Sequence, residues 1–519
     1  MTLSNYLGAD AKKCRPFAKK IDKAILLAIL SIGLLLRIYD LDAESLWLDE
    51  IISIKVASHD IYPMFEIFFI HDNTPPLHYI LLHGWIKIVG DSEFAARSLS
   101  AIFGFLAIPL IYKVAVLIFN KNVGLLSALL LALSEFHIYY SQEARCYSLM
   151  VFLTLVSIYF YLKLFKEENS LNSAGYILST LLLLCTHFFG LFILLAQNLY
   201  LVTHFFFSKG GSKANLKRWI ALQVLLGVLL SPVLFVLINR LSSLQGDFWI
   251  PLPSVRSLVR SFRQYAGSYK LLWLFTPFVI FSVVGFKRVR GNFNIENLFG
   301  SIRDYCRQLE LNIDWRIYLL FLWLLVPNIL PFAISRFSTP IYLARYTIGA
   351  SLAFYLLLAK GLDNIGNGRF SRLVINLLLV SILLANLWGG YYPKIVKAEW
   401  RDVASYVEAS AEQGDLVLFN TGANRWVFNY YAHREDLIKK SFPEESVEIY
   451  EQDIVELESI IEGFDGVWVI LAHTRDSEGL IIKTLDKTCD LLDYKEYKGI
   501  EVYHLKSKEA DLVSHNCQI

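Results

Sequence analysis

The sequence predicts a polytopic α-helical membrane protein followed by a small C-terminal α/β domain. Three observations support this prediction. Of the 519 residues, 55% are hydrophobic and only 18% are charged, whereas a soluble protein carries about a quarter charged residues. Apolar runs close to the roughly 20 residues needed to cross a bilayer recur along the chain. After residue 389 these runs stop, and short strand-like and helix-like segments alternate.

Eleven apolar segments are predicted to span the membrane. They lie near 22–39, 94–118, 123–140, 146–164, 172–187, 189–207, 217–238, 271–286, 317–334, 345–360 and 372–389. The first segment is long and no small-residue cleavage site follows it, so we expect it to be retained as a span. We assign residues 1–389 to a transmembrane domain and residues 390–519 to a second domain.

The basic residues predict the orientation of these spans. Several of them, from Lys12 to Lys23, precede the first span, and the positive-inside rule places this end in the cytoplasm. Later loops predicted to be inside also carry basic residues, among them Lys121, Lys163 and Arg218. Because the number of spans is odd, the C-terminal domain is expected to be extracytoplasmic, with the protein in the cytoplasmic (inner) membrane.

The first outer loop, 41–92, contains the most informative polar pair. Residues 50–70 and 76–89 are predicted to be helices lying at the membrane interface. Asp49 and Glu50 adjoin the first of them, and two adjacent carboxylates at a bilayer surface are costly to desolvate. They are either acids favoured by a helix N-terminus or a general base with a second carboxylate that orients the substrate.

The C-terminal region predicts a small domain with a partly parallel sheet, because strands alternate with helices. It contains no nucleotide-binding glycine motif. The predicted strands are 415–420, 466–472 and 500–505, and the predicted helices are 402–411, 425–431 and 480–492.

Other reactive side chains are predicted on the same outer face, at the ends of different spans. Arg145 is suited to bind a phosphate bidentately, with Arg345 or Lys55 as a second cation, although an interfacial arginine is the alternative interpretation. A divalent metal ion bound by Glu50, His71 and Asp72 stays open, because this spacing is nonspecific. The predicted lining of the substrate cavity is His71, Asp72, His78, Glu143, Tyr147, His187 and Tyr346.

Three motifs resemble those of one enzyme superfamily. They are WLDE after the first span, PPLHYILLHGW followed by SEFAARSLSA, and YSQEARCYSL. In this order they resemble the GT-C superfamily of membrane glycosyltransferases, in particular the protein O-mannosyltransferases and the bacterial enzymes similar to aminoarabinose-to-lipid-A transferases. The resemblance covers about residues 20–200 and, less specifically, the LARYTIG region and the trailing domain.

The resemblance implies a polyprenyl-phosphate-linked sugar as donor, reaction at the outer side of the membrane, and inversion at the anomeric carbon. The catalytic aspartate of the family falls on Asp49, its neighbouring acid on Glu50, and its phosphate-binding arginine on Arg145. Residues 73–76 read Asn-Thr-Pro-Pro where aminoarabinose transferases have Glu-Lys-Pro-Pro. The sugar, hexose or pentose, and the acceptor, a lipid, glycan or protein, therefore stay open.

Two other classes of function compete with an enzyme. A lipid or sugar transporter, or flippase, would place ionisable groups near the bilayer midplane in repeated elements, whereas this sequence concentrates them on one face. A membrane assembly protein with a glycan-binding outer domain is the second alternative. The pair Gln197-Asn198 is the main polar interruption within a span and is interpreted as a helix–helix hydrogen bond. Membrane lipids are expected partners, and nucleic acid is not.

Overall fold

The computed structural model divides the chain into two compact units. It describes residues 4–70, 74–167, 169–207, 213–243, 250–286, 309–311, 314–365, 369–443, 449, 454–472, 476 and 479–508. The helical unit comprises Met1–Tyr39, Ala57–Gly90 and Ala95–Tyr392, and the C-terminal unit comprises Asp40–Val56, Asp91–Phe94 and Pro393–Ile519. Unlike the predicted division after residue 389, this division groups two segments of the first outer loop with the C-terminal unit.

Helices account for nearly all of the regular structure before residue 391. A large apolar cluster with members from Ile29 to Leu387 forms much of the core of the helical unit, and a second cluster has members from Tyr161 to Leu319. The short strands β1 (Val284–Phe286) and β2 (Leu309–Leu311) pair antiparallel. The helices are Ser4–Ile38, Leu48–Ser58, Ile61–Ile70, Leu77–Val89, Glu93–Ile118, Lys121–Ala132, Glu135–Ser141, Tyr147–Lys166, Ser170–Leu184, Gly190–Phe207, Lys213–Ser243, Val255–Ala266, Tyr269–Phe281, Trp315–Phe337, Ala344–Thr347 (3-10), Ile348–Ile365 and Arg369–Gly390.

The count of eleven spans is not confirmed, although every predicted span overlaps a helix. The prediction 271–286 is wrong at its C-terminal end, because the helix ends at Phe281 and strand β1 begins at Val284. Within the described residues, five helices are long and apolar enough to cross a membrane, or six if one bent pair counts as a span. Two further predictions, 189–207 and 372–389, lie on the apolar helices Gly190–Phe207 and Arg369–Gly390, which have 18 and 22 residues. The predictions 172–187 and 271–286 lie on shorter helices of 15 and 13 residues. At 1.5 Å per residue these two helices are shorter than the roughly 30 Å of hydrocarbon. The remaining prediction, 22–39, lies on Ser4–Ile38.

The predicted interfacial helix 50–70 is two helices, Leu48–Ser58 and Ile61–Ile70, while the predicted 76–89 is observed as Leu77–Val89. Asp60 lies immediately before the second helix and Pro63 lies in its first turn. Aspartate is favoured before a helix, and proline is well tolerated in its first turn. A helix boundary at this point is therefore locally favoured.

A sharp bend separates Lys121–Ala132 from Glu135–Ser141, whose axes differ by 58°. Arg37, which is fully buried, donates to the carbonyl oxygens of Leu131 at 3.0 Å and Ala132 at 3.2 Å. These carbonyls lack partners within their own helix because the helix ends there. Beyond the bend, Gln142 donates from Nε2 to the Tyr39 carbonyl at 2.7 Å. The bend and these contacts position the turn that follows residue 141.

The polar pair within a span makes helix–helix hydrogen bonds, as the sequence predicted. The Tyr176 hydroxyl donates to Oε1 of Gln197 at 2.9 Å, and Nε2 of Gln197 donates to the Ser157 hydroxyl at 3.1 Å. Asn198 accepts from the Trp219 indole at 2.9 Å. Each contact joins two different helices, so these side chains bind the helices together.

We expect Gln197→Leu to lower stability by about 1–2 kcal/mol without changing activity, because it removes two buried hydrogen bonds whose partners, Tyr176 and Ser157, are not candidate site residues. Thermal unfolding of the purified protein in detergent measures the effect. Loss of activity at unchanged stability would contradict a structural role and favour a transport pathway.

The C-terminal unit contains a five-stranded mixed sheet. Its strands are β3 (Leu416–Phe419), β4 (Ile438–Ser441), β5 (Gly466–Ala472), β6 (Cys489–Tyr497) and β7 (Ile500–Ser507), in the order β4-β3-β5-β7-β6. Strand β3 is parallel to β4 and β5, whereas β7 is antiparallel to β5 and β6. The helices are Trp400–Ser410, Gly422–Tyr431, Ile454–Ile461 and Leu480–Thr488.

The prediction of a helix over 480–492 is wrong at its C-terminal end. The helix ends at Thr488, and strand β6 begins at Cys489. Leu491 and Leu492, which extend the apolar pattern of the helix, are exposed; Leu491 pairs with Leu505 of β7, and Leu492 lies at a register shift in this ladder. Pairing with a strand that follows in the chain overrides the local helical pattern.

Candidate active site

The paired acids of the first outer loop lie in the first turn of helix Leu48–Ser58, within the C-terminal unit. Glu50 is buried, and its Oε2 accepts from the backbone N–H of Trp47 at 3.3 Å and from Nζ of Lys397 at 3.0 Å. Asp49 is half-buried, and its backbone carbonyl accepts from the Ser53 hydroxyl at 2.9 Å. The interpretation of a helix-end acid therefore accounts for Glu50, and Asp49 keeps the more accessible carboxylate.

Lys55 lies near the end of the same helix. Its Nζ is 3.3 Å from the centroid of the Trp426 ring, a cation–π contact. Burial lowers the pKa of Lys55, and the nearby charge of Arg425 lowers it further. The ammonium group therefore has an aromatic partner and a cationic neighbour within the C-terminal unit.

Residues far along the chain hold this loop, and sequence reasoning missed all of them. The backbone N–H of Val396 donates to Oε1 of Glu44 at 2.5 Å, and that of Arg401 donates to the Ser45 hydroxyl at 3.2 Å. The Tyr431 hydroxyl accepts from the backbone N–H of Leu46 at 2.6 Å. Arg401 and Tyr431 also contact Glu93. No motif marks these residues, because they belong to ordinary helix ends and turns.

In the helical unit, two predicted cavity histidines lie on neighbouring elements. His78 is buried in the first turn of helix Leu77–Val89. The backbone N–H of Leu77 donates to the Cys185 carbonyl at 3.1 Å. This bond brings the start of the helix next to the turn 185–189, which carries His187 between two apolar helices.

The turn 142–146 carries Glu143 and Arg145. Glu143 is buried and Arg145 is half-buried. The backbone N–H of Arg145 donates to the Glu143 carbonyl at 2.8 Å, and the Ser100 hydroxyl donates to the Arg145 carbonyl at 3.1 Å. The backbone of the turn is thus fixed, both internally and against helix Glu93–Ile118.

Three predicted cavity side chains form one aromatic cluster. The ring of His187 lies 4.8 Å from that of Tyr346 and 6.2 Å from that of Tyr147, between centroids. Tyr147 and Tyr346 stack at 6.4 Å. Arg345 precedes Tyr346 in the short 3-10 helix Ala344–Thr347. The structure therefore brings together residues from three separate parts of the sequence.

The guanidinium charges of Arg145 and Arg345 affect the pKa of His187 in this cluster. Burial lowers the pKa of His187 to about 3, and the charges of Arg145 and Arg345 lower it further. Burial also lowers the pKa of His78 to about 3, again with a contribution from Arg145. Both histidines are therefore neutral near pH 7. The positive charge among these residues comes from the arginines, which can hold a phosphate at any physiological pH.

The low pKa of His187 predicts a pH-dependent stability. Between about 3 and the ordinary value of 6.5, the unfolded chain binds a proton at this residue that the folded protein does not. Stability therefore falls as the pH is lowered from 6.5 toward 3. We expect the melting temperature of His187→Gln in detergent to fall less than that of the wild type between pH 7 and pH 5. An equal fall in both proteins would contradict a neutral buried histidine.

The predicted metal ligands are only partly described. His71 and Asp72 lie outside the described residues, so the structure gives no placement for either. Where side chains are described, no group of three or more His, Cys, Asp or Glu residues could hold a metal ion. Glu50, the third predicted ligand, directs Oε2 to Lys397. A metal site at these three residues stays a prediction.

Comparison with known proteins identifies the fold. Residues 73–236, which include His78, Arg145 and His187, match the Dolichyl-phosphate-mannose-protein mannosyltransferase family. The structure of ArnT from Cupriavidus metallidurans, bound to undecaprenyl phosphate, superposes with a TM-score of 0.53 at 12% identity, covering 92% of this chain and 97% of that one. The chain has the GT-C fold. The predicted resemblance to GT-C membrane glycosyltransferases is thereby confirmed, and a multi-pass membrane protein with it.

A second solved structure gives a similar result. The archaeal oligosaccharyltransferase AglB from Archaeoglobus fulgidus, in complex with an inhibitory peptide and a dolichol-phosphate, superposes with a TM-score of 0.50 at 13% identity, covering 94% of this chain and 74% of that one. An oligosaccharyltransferase from Archaeoglobus fulgidus tethered to an acceptor peptide superposes with a TM-score of 0.51 at 13% identity, covering 95% of this chain and 75% of that one. No curated protein matches by sequence. The likeness thus lies in the fold, with little sequence in common.

Proposed function

We propose that the chain is an inverting glycosyltransferase that moves a sugar from a polyprenyl-phosphate donor to a hydroxyl acceptor at the outer face of the cytoplasmic membrane. The observation that carries the proposal is the cluster of His187, Tyr147 and Tyr346, in which Cζ of Arg345 lies 5.6 Å from the centroid of the Tyr346 ring. The charges of Arg145 and Arg345 also lower the pKa of His187. The GT-C fold supports it, since similar structures hold undecaprenyl phosphate and dolichol-phosphate.

The donor phosphate is assigned to Arg145 and Arg345. When the bond between the anomeric carbon and the phosphate oxygen breaks, its electron pair stays on the phosphate. Fixed cations stabilise that growing negative charge most strongly where water is scarce. The neutral histidines, His78 and His187, can donate or accept hydrogen bonds without adding charge. Lys55 was a third candidate, but its ammonium already contacts Trp426, so we give it no part in phosphate binding.

Asp49 is assigned as the general base. It takes the proton from the acceptor hydroxyl as the acceptor oxygen forms its bond to the anomeric carbon. Attack opposite the departing phosphate makes the displacement a single in-line step, which inverts the configuration. Glu143 and Tyr147, with Tyr346, are assigned to the sugar and its surroundings. A divalent metal ion would add charge at the phosphate if His71 and Asp72 bind one, but no step depends on it.

Reconstituted protein tests the proposal. In vesicles that contain a labelled polyprenyl-phosphate sugar, the wild type is expected to release polyprenyl phosphate and to label a hydroxyl acceptor. Mass spectrometry of envelope lipids and glycans, from cells with and without the protein, identifies the missing sugar and its acceptor. Movement of the intact donor across the bilayer without loss of its sugar would instead favour the flippase alternative.

A further inference from the structure

A buried ion pair joins the first outer loop to the start of the C-terminal region. Nζ of Lys397 lies 3.0 Å from Oε2 of Glu50, and only 5% and 0% of the two side chains are exposed. The two residues are 347 positions apart. Removing two charges from water is costly, and attraction between them offsets this cost only when the geometry is good. A buried ion pair is therefore a costly contact if its only role is to hold the loop in place.

The same carboxylate oxygen also closes the first turn of helix Leu48–Ser58. Oε2 of Glu50 accepts from the backbone N–H of Trp47, three residues earlier, at 3.3 Å. An acid at the third helical position that reaches back in this way satisfies a donor left open at the helix start. Both contacts of Glu50 therefore fix the rotation of the first turn about the helix axis.

The rotation of this turn determines the direction of Asp49. Successive side chains project about 100° apart around a helix. With Glu50 held inside, Asp49 must point elsewhere, and it is half-buried where Glu50 is fully buried. Contacts of the neighbouring residues Val396 and Arg401 with Glu44 and Ser45 restrain the chain just before the turn.

We infer that Lys397 is a positioning residue, which through Glu50 holds Asp49 in the orientation needed to accept a proton. In this inference Glu50 caps the helix and its negative charge is balanced by Lys397, while Asp49 alone acts as the base. The inference rests on the proposed function. The inference makes sugar transfer depend on Lys397, a residue of the C-terminal unit.

Four full-length variants test the inference by kinetics. We expect Lys397→Met to lower kcat about 10- to 100-fold while the KM for the donor stays within about twofold. Lys397→Arg, which keeps the charge, is expected to retain most of the rate. Glu50→Gln takes the carboxylate away from a buried ammonium and lowers kcat, whereas Glu50→Gln combined with Lys397→Met removes both charges and recovers most of it. If the double variant is as inactive as Glu50→Gln, then Glu50 is itself the base and the inference fails.

A second measurement needs no activity. Carbodiimide coupling of an amine to exposed carboxylates, read by peptide mass spectrometry, reports the accessibility of Asp49 and Glu50. In the wild type we expect Asp49 to be labelled and Glu50 to be protected. Lys397→Met should change the labelling rate of Asp49 at least severalfold, and Lys397→Arg should not.

The two measurements separate the inference from the proposed function. An unchanged labelling rate of Asp49 in Lys397→Met overturns the positioning role, whatever the activity. If Lys397→Met lowers the melting temperature but leaves kcat of the folded fraction unchanged, the positioning role is also overturned, because the Glu50–Lys397 ion pair is then only structural. The expected labelling pattern in a wild type that transfers no sugar would refute the proposed function and leave the positioning role intact.

Discussion

Asp49→Asn is expected to lower the rate of sugar transfer by about 10²- to 10⁴-fold, the usual contribution of a general base. The amide has nearly the same shape as the carboxylate but cannot take a proton. Since we assign the donor phosphate to arginines elsewhere in the sequence, the affinity for polyprenyl phosphate should be unchanged. Steady-state kinetics and equilibrium binding of the donor lipid measure the two effects separately.

Asp42→Asn provides the matched control for this prediction. Asp42 lies in the same predicted loop and the same unit, and its side chain is exposed. Its substitution should leave the rate within about twofold. Full activity in Asp49→Asn would remove the base from the mechanism. Undiminished lipid movement in a variant that transfers no sugar would favour the flippase alternative.

Arg145→Ala is expected to lower kcat/KM for the donor by about 10²- to 10³-fold, the typical effect of removing one group that stabilises developing charge. The donor affinity should fall as well, because the phosphate carries charge in the ground state too. Arg145→Lys keeps a positive charge but loses the two parallel hydrogen bonds of the guanidinium. We therefore expect it to lie between the wild type and Arg145→Ala.

Arg260→Ala serves as the control for loss of an arginine from the helical unit. Arg260 is exposed on helix Val255–Ala266. Its removal should change neither the donor affinity nor the rate. If Arg145→Ala binds polyprenyl phosphate as tightly as the wild type, the phosphate site lies elsewhere. Asp49→Asn and Arg145→Ala thus differ in one decisive respect, since only the second should weaken donor binding.

Local patterns in the sequence predicted much of the helical architecture. Each of the eleven apolar runs overlaps a helix, because a backbone buried in lipid must satisfy its own hydrogen bonds. Strand β5 occupies the predicted residues 466–472. The number of helices that reach across the bilayer was not predictable in the same way. A run of apolar residues does not reveal where a cap or a bend ends the helix.

Several candidate residues could also be chosen from sequence. Arg145 and His187 stand out because charged or polar groups at the ends of apolar runs are costly to desolvate. Their distances from Tyr147 and Tyr346 could not be derived, since these depend on how separate helices pack. The ion-pair partner of Glu50 could not be predicted from the sequence either. Lys397 follows the last apolar run and resembles any lysine near a membrane surface.

By itself, the sequence determined that the chain is a multi-pass helical protein with acids and arginines at the ends of its apolar runs. Composition and short motifs suffice for this, because hydrophobicity and helix capping act over a few residues. Only the tertiary structure decided that Glu50 is bound by Lys397, that two segments of the first outer loop belong with the C-terminal unit, and that His187 packs against Tyr147 and Tyr346. These contacts join residues tens to hundreds of positions apart, and no local pattern encodes which partner will pack against which.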